Sequence, residues 1–185
     1  MVPNLLGLLL AIVPLAAQAD EALWRLLQQG GQVLFIRHAT TTPGVGDPEG
    51  FRLNDCRTQR NLSEAGRAEA KRLGEALRKR QVAVGEVLSS PWCRCIDTGE
   101  LAFGRVDQRW TALGNLFGRS EAAQAQVREM RARVSAYKGK PNLVLLSHGS
   151  TAVALTGVSP AQAEIIVLTP LGGEKFRVAG RLKAD

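Results

Sequence analysis

Short apolar segments alternate with amphipathic stretches along the chain. Residues 32–36, 84–89 and 142–147 are rich in aliphatic and β-branched side chains, which is typical of strands buried on both faces. In residues 63–80 and 121–137, apolar side chains recur at helical spacing, which predicts two amphipathic helices. The other predicted elements are helices over residues 21–29 and 92–103, a short strand over residues 106–110, and a final pair of strands over residues 164–168 and 175–182.

The order of these elements predicts a single α/β domain. Apolar strands that alternate with helices form a sheet covered by helices on both faces. The chain has neither an internal repeat nor a clear linker, and its 185 residues suit one domain. Residues 40–61, rich in Thr, Gly, Pro and Asp, form a loop too long for a simple connection. Loops of this length in compact domains are usually functional or disordered.

Residues 1–19 have a different composition from the rest of the chain. They carry no charged side chain, and residues 5–17 are an apolar run interrupted by one glycine and one proline. An Ala-Gln-Ala sequence ends at Ala19, as in a cleaved secretory signal peptide. We therefore expect cleavage after Ala19, a mature domain of residues 20–185 without a stable membrane span, and a periplasmic or secreted location. An uncleaved anchor or a buried helix is the alternative interpretation.

The charge of the chain favours anionic partners. Its formal net charge is +7 and its pI is about 9.9, which suits phosphate esters, a lipopolysaccharide or membrane surface, or nucleic acid. The basic residues are scattered, and the chain has no finger, homeodomain or RNA-binding motif. We therefore expect no nucleic-acid partner.

The three cysteines, Cys56, Cys93 and Cys95, allow one internal disulfide and leave one thiol. In an oxidising compartment, a bridge from Cys56 to either Cys93 or Cys95 is plausible, and the sequence leaves both pairings open. A zinc site is the other interpretation, but three cysteines at these spacings make a poor one.

The chain contains only two histidines, and both follow predicted buried strands. His38 follows Arg37 at the end of the first strand, and His148 follows the strand over residues 142–147. Ligand sites of open α/β sheets lie at the carboxyl ends of the strands. We therefore expect both imidazoles to lie in one crevice.

The residues around these histidines favour phosphate chemistry. Two histidines without a third clustered ligand do not make a convincing metal site, and neither a Gly-x-Ser-x-Gly elbow nor a phosphate-binding P-loop is present. Arg37 adjoins His38, and Arg94 follows the strand over residues 84–89. Guanidinium groups match phosphate oxygens in pairs, so this set predicts an anion pocket without a metal.

Four short segments, in order along the chain, carry a resemblance to a known family. They are Arg-His-Ala-Thr at residues 37–40, Asn-Leu-Ser-Glu-Ala-Gly at 61–66, Ser-Ser-Pro-Trp-Cys-Arg-Cys-Ile-Asp-Thr at 89–98, and Ser-His-Gly at 147–149. Together they resemble the histidine phosphatase superfamily, the phosphoglycerate mutase-like group. The resemblance implies a three-layer α/β/α sandwich with a mostly parallel central sheet.

The resemblance also implies roles for individual residues. His38 would attack phosphorus and form a phosphohistidine, with Arg37, Arg94 and His148 completing the phosphate pocket. Arg60 and Asn61 would lie near the same pocket and bind substrate, although helix entry and capping is the alternative for this pair. No cofactor is implied.

The sequence departs from the family pattern at the general acid. Many relatives carry a Glu in the segment that corresponds to residues 111–117, and no carboxylate is present there. Asp47, Glu49 and Asp55 in the long loop are candidates, and no acid is assigned. A missing acid indicates a substrate with a good leaving group or a slow enzyme.

The sequence as a whole predicts an exported, metal-independent phosphomonoesterase. Its expected substrate is a small phosphorylated metabolite or an envelope glycan. One alternative is a protein phosphohistidine phosphatase, and another is a non-catalytic anion-binding protein with the same fold.

Overall fold

The computed structural model describes the backbone of residues 15–183, and the side chains of residues 18–119 and 123–183. Within that span the chain forms five α-helices and six strands. The helices are α1 (Leu15–Gln29), α2 (Glu64–Lys79), α3 (Cys93–Phe103), α4 (Ser120–Ser135) and α5 (Gly149–Thr156). The strands are β1 (Val33–Arg37), β2 (Val84–Ser89), β3 (Gln108–Arg109), β4 (Asn142–Ser147), β5 (Ile165–Gly172) and β6 (Lys175–Leu182).

Most of the predicted signal peptide, residues 1–14, lies outside the described residues. Helix α1 begins at Leu15 and continues through the predicted cleavage point after Ala19. Cleavage at that point stays a prediction. Between residues 15 and 183, no helix is both long and apolar enough to cross a membrane.

The six strands form one mixed sheet in the order β3-β2-β4-β1-β5-β6. Strands β3, β2, β4 and β1 pair in parallel, whereas β5 pairs antiparallel with both β1 and β6. Three of the five strand pairings are therefore parallel, as the resemblance implies. The antiparallel edge is the final pair of strands that the sequence predicts.

Helices cover both faces of the sheet. Helices α1, α2 and α3 pack on one face, where Leu27, Leu73 and Cys95 join one apolar cluster. Helices α4 and α5 cover the other face through Met130 and Leu155. The fold is thus a three-layer α/β/α sandwich, which confirms the predicted fold class.

The parallel register brings three strand ends to one edge of the sheet. Arg37 at the end of β1 lies opposite Ser147 at the end of β4, and Ser89 at the end of β2 lies opposite Leu146. The backbone amide of His38 donates to the Ser147 carbonyl at 2.9 Å. The chain segments that leave these strands therefore begin side by side.

The spacing of apolar residues predicts the long helices, but it does not predict helix α5. Helix α2 begins after Ser63, whose hydroxyl accepts from the Gly66 amide at 3.1 Å, as expected of an N-cap residue. Helix α5 has no counterpart among the elements that the sequence predicts. It is short and largely apolar, with the sequence GSTAVALT, so it lacks the polar face that marks an amphipathic helix.

Candidate active site

His38 lies at the carboxyl end of β1, with only 3% of its surface exposed. Its Nδ1 is 2.9 Å from the Ala39 carbonyl oxygen. Because a carbonyl oxygen only accepts, Nδ1 carries the proton in this arrangement and Nε2 keeps its lone pair. The local fold therefore presents His38 as a neutral nucleophile.

His148 follows β4 and lies beside His38, with a distance of 5.4 Å between the ring centroids. Its Nε2 is 2.8 Å from the Ser90 hydroxyl, and its Nδ1 is buried without a hydrogen-bond partner. If the Ser90 hydroxyl donates to Nε2, Nδ1 carries the proton. Under that assignment His148 presents an N–H donor.

The guanidinium of Arg37 lies close to Gly149, the glycine that follows His148. Its Nη1 donates to the Pro160 carbonyl at 2.9 Å. A side-chain carbon built at Gly149 would lie 3.3 Å from both Cζ and Nε of Arg37. The glycine after His148 therefore leaves room for the guanidinium, which gives a physical reason for the Ser-His-Gly segment.

Arg94, from the first turn of α3, forms a buried ion pair with Asp47 of the long loop. The two side chains are 1% and 4% exposed, and Nη1 of Arg94 lies 2.6 Å from Oδ1 of Asp47. Nη2 donates to Oδ2 at 3.2 Å, and Asp47 also accepts from Nε1 of Trp92 at 3.0 Å. The loop carboxylate thus fixes the guanidinium while Nε of Arg94 stays unpartnered.

The long loop is tied to α3 at a second place by a disulfide. Cys56 pairs with Cys93, with a Cα–Cα distance of 5.7 Å, and the side-chain oxygen of Gln59 accepts from the Cys93 amide at 3.0 Å. This settles the pairing that the sequence left open. Cys95 remains a buried free thiol, and burial raises its pKa to about 12.

The two predicted substrate-binding residues, Arg60 and Asn61, lie in different surroundings. Arg60 lies in the loop beside Arg94, lines the same cavity and donates through Nη1 to the Gly44 carbonyl. Asn61 is not among the residues that line this cavity. Its side-chain amide nitrogen donates to the Cys56 carbonyl at 2.6 Å. Asn61 therefore stabilises the loop and does not line the pocket.

One cavity of about 640 Å³ is lined by most of the predicted site residues. His38, His148, Arg37, Arg60 and Arg94 all line it. Five of the six predicted site residues therefore lie together, and the part of the cavity built by α5 has no counterpart in the sequence prediction. The other lining residues are Gly44, Val45, Gly46, Asn115, Leu116, Phe117, Gly118, Gly149, Ser150, Val153 and Ser159.

No carboxylate belongs to the described residues that line this cavity. Burial alone would raise the pKa of Asp47, but the hydrogen bonds and charge of Arg94 lower it below its usual value. Asp55 is held by Arg57 and Arg52, whose hydrogen bonds lower its pKa to about 2. Both carboxylates are therefore ionised at neutral pH, and neither suits a proton donor.

Burial sets the ionisation of both histidines. It lowers the pKa of His38 to about 3, and the positive charges of Arg94 and Arg37 act in the same direction. The pKa of His148 is lowered well below its usual value, mainly by burial, while the neighbouring His38 ring and the charge of Arg94 act in the same direction. Both rings are therefore neutral at physiological pH.

We expect neither ring of the ligand-free protein to take up a proton between about pH 8 and pH 5. Because the unfolded chain binds more protons than the folded one below about pH 6.5, the free energy of unfolding should fall as the pH drops through this range. Long-range ¹H–¹⁵N spectra resolve the two histidines directly. Titration of either ring near pH 6.5 would contradict this assignment.

The disulfide should control the stability of the loop. Denatured, unreduced protein is expected to show one reactive thiol, that of Cys95. Cys56→Ser should lower the free energy of unfolding by about 2–4 kcal/mol, because it opens a long covalent loop, and should raise KM for a phosphate ester. Thiol titration counts the reactive thiols, and urea unfolding measures the free energy of unfolding. Cys95→Ala, which leaves the bridge intact, is the control, and three reactive thiols in wild-type protein would disprove the bridge.

Part of the chain matches a known protein family. Residues 33–120 match the family described as the histidine phosphatase superfamily, branch 1. That match contains His38 and Arg94 and ends before His148, which the fold brings to the same cavity. No curated protein sequence matches the chain.

Solved structures with the same fold are distant in sequence. The product of open reading frame Rv3214 from Mycobacterium tuberculosis is 17% identical with a TM-score of 0.58, covering 77% of this chain and 92% of that one. The protein histidine phosphatase SixA, solved with tungstate, is 18% identical with a TM-score of 0.53, covering 83% and 97%. A mycobacterial glucosyl-3-phosphoglycerate phosphatase is 20% identical with a TM-score of 0.54, covering 83% and 99%. Residues 33–120 therefore match the histidine phosphatase superfamily, as the sequence resemblance implies, and the chain shares the fold of these solved structures.

Proposed function

We propose that the protein is an exported, metal-independent phosphomonoesterase that works through a phosphohistidine on His38. One observation carries the proposal. Within the described side chains, five buried polar atoms have no hydrogen-bond partner, and four of them are nitrogen atoms of residues lining the cavity that contains His38. These atoms are the N–H donors Nε of Arg37, Nε of Arg60 and Nε of Arg94, together with Nδ1 of His148, which is a donor when the Ser90 hydroxyl donates to Nε2. The fifth atom is Oδ1 of Asn61.

Unpartnered buried donors are rare in folded proteins and call for a specific explanation. Three guanidinium groups and one imidazole around a single cavity suit the oxygens of a phosphoryl group, because charge-assisted hydrogen bonds to phosphate are strong. The neighbour SixA was solved with tungstate, which supports anion binding by this fold.

The proposed reaction has two steps. Nε2 of His38 attacks phosphorus, the ester P–O bond breaks, and the alkoxide leaves and takes a proton from water. Water then attacks the phosphohistidine, the N–P bond breaks, and inorganic phosphate is released with His38 restored. Splitting hydrolysis in this way replaces one difficult step by two easier ones.

The surrounding side chains would supply electrostatic stabilisation. Charge on the equatorial oxygens of the transferring group has to be neutralised by groups that are already in place. Arg37, Arg60 and Arg94 provide that charge, and their fixed contacts hold two of them at the cavity wall, through Pro160 for Arg37 and Asp47 for Arg94. His148 would donate Nδ1–H to a phosphoryl oxygen.

The leaving group receives little help from this site, since no carboxylate lines the cavity among the described residues. We therefore propose substrates whose alcohol leaves readily, among phosphorylated small molecules or envelope glycans. Export is supported by residues 1–19, which read as a signal peptide, and by the Cys56–Cys93 disulfide, which is typical of an oxidising compartment. The proposed location is the periplasm or the exterior.

Hydrolysis of p-nitrophenyl phosphate tests the proposal, because this ester needs little protonation of its leaving group. We expect turnover that is unchanged by EDTA and inhibited competitively by inorganic phosphate. Activity that EDTA abolishes and a divalent metal restores would contradict metal independence. Protein that binds phosphate without turnover would support the anion-binding alternative instead.

A protein phosphohistidine phosphatase is the second candidate. The fold similarity to SixA favours it, as does the missing carboxylate, since an imidazole leaves phosphorus more readily than an alkoxide does. Phosphohistidine and p-nitrophenyl phosphate offered side by side separate the two. A kcat/KM for phosphohistidine, free or in a peptide, that is at least about a hundredfold higher would favour the second candidate.

A further inference from the structure

The mouth of the proposed phosphate cavity is apolar. Val45, Phe117 and Val153 all line it, and their side chains are 87%, 61% and 44% exposed. Only two other large apolar residues in the described part of the chain are comparably exposed, Leu53 and Leu171. Most of this exposed apolar surface is therefore concentrated around one opening.

These three side chains come from three separate parts of the fold. Val45 belongs to the long loop, Phe117 follows the short 3₁₀ turn Thr111–Leu113, and Val153 lies on α5. Scattered surface apolar residues are ordinary, whereas apolar residues that converge on a cavity mark a binding surface. Leu116 adds a buried apolar side chain to the same lining.

The uncharged polar side chains that line the cavity are few, namely Asn115, Ser150 and Ser159. Oδ1 of Asn115 accepts from the Ser150 hydroxyl at 2.8 Å and from the Phe117 amide at 3.2 Å. No acidic side chain and no lysine line the cavity among the described residues. The apolar side chains Val45, Leu116, Phe117 and Val153 thus outnumber the uncharged polar ones in this lining, which favours a hydrocarbon group over a polar one next to the phosphate.

We propose that the site takes phosphomonoesters whose ester group is apolar next to the phosphate, either alkyl or aryl. The inference rests on the proposed function, since the phosphoryl group would occupy the floor made by the neutral rings of His38 and His148 and by the cationic arginines. The hydrocarbon part would then lie against Phe117, Val45 and Val153. This narrows the proposed substrates from phosphate esters in general to amphiphilic ones.

A series of n-alkylphosphonates tests the inference without relying on turnover. Their C–P bond is not hydrolysed, so leaving-group ability plays no part. Competitive inhibition of p-nitrophenyl phosphate hydrolysis and calorimetry would both be measured, from methylphosphonate to octylphosphonate below the micellar range. We expect affinity to rise by about two- to fourfold for each added methylene over the first several carbons, as for burial of a hydrocarbon chain.

Two variants test whether the side chains at the mouth cause the dependence of affinity on chain length. Phe117→Ser and Val153→Ser should flatten the dependence on chain length while leaving the affinity for methylphosphonate and inorganic phosphate within about twofold of wild type. Leu171→Ser is the matched control, because Leu171 is as exposed as Phe117, at 60%, and does not line the cavity. That variant should keep the wild-type dependence.

The outcomes separate this inference from the function on which it rests. Equal affinities for all chain lengths, with methylphosphonate and phosphate still bound, would overturn the apolar subsite and leave the phosphatase proposal intact. A chain-length dependence that persists in both mouth variants would also overturn it. Failure of inorganic phosphate and every phosphonate to bind would contradict the proposed function itself.

Discussion

Replacing His38 with alanine is expected to lower kcat/KM for p-nitrophenyl phosphate by at least about a thousandfold, because it removes the nucleophile that divides hydrolysis into two steps. His38→Asn is the matched variant. Its side-chain amide can still donate to the Ala39 carbonyl, as Nδ1 of His38 does, but it has no nucleophilic nitrogen. Both variants should be equally inactive and should unfold at temperatures close to that of wild type.

The two variants together distinguish nucleophilic attack by His38 from a role in positioning other groups. If the asparagine variant recovered activity, the role of His38 would be to position other groups and not to attack phosphorus. Activity above about a tenth of wild type in either variant would mean that another group is the nucleophile.

Replacing Arg94 with alanine is expected to damage both activity and stability. Activity should fall by about a hundredfold or more, since a fixed stabiliser of the transition state is lost. The free energy of unfolding should fall by about 3–5 kcal/mol, because Asp47 would be left as an unpaired buried charge. Phosphatase assays and urea unfolding measure the two effects separately.

A double variant separates the two roles of Arg94. Arg94→Ala combined with Asp47→Asn removes the unpaired charge while the amide can still accept from Nε1 of Trp92. Stability should therefore recover in part, and activity should not. Arg67→Ala is the control, because Arg67 pairs with Asp97 on the surface, and its loss should cost less than about 1 kcal/mol. Recovery of activity in the double variant would contradict the proposed role of Arg94.

The sequence predicts the sheet because its central strands are buried on both faces. The bounds expected for the strands over residues 84–89 and 142–147 are those observed. Position at the ends of parallel strands then brings Arg37, His38 and His148 together. This inference needs only local pattern and the geometry of parallel sheets.

The parts that the sequence does not predict depend on how distant segments pack. Asp47 appears in the sequence only as one acid in a loop, and its ion pair with Arg94 requires that loop to fold over α3. The choice of Cys93 over Cys95 depends on which side of α3 faces the loop. Asn61 shares the segment that resembles the family, yet its side chain turns to the Cys56 carbonyl, which no local pattern indicates.

Transfer of the phosphoryl group to His38 is the central claim, and it can be observed directly. Wild-type protein would be mixed rapidly with p-nitrophenyl phosphate, quenched in alkali, where phosphohistidine survives, and digested for mass spectrometry. The account predicts a phosphoryl group on His38 that forms and decays at rates compatible with turnover. Steady turnover with no phosphorylated enzyme, or with the phosphoryl group on any residue other than His38, would contradict it.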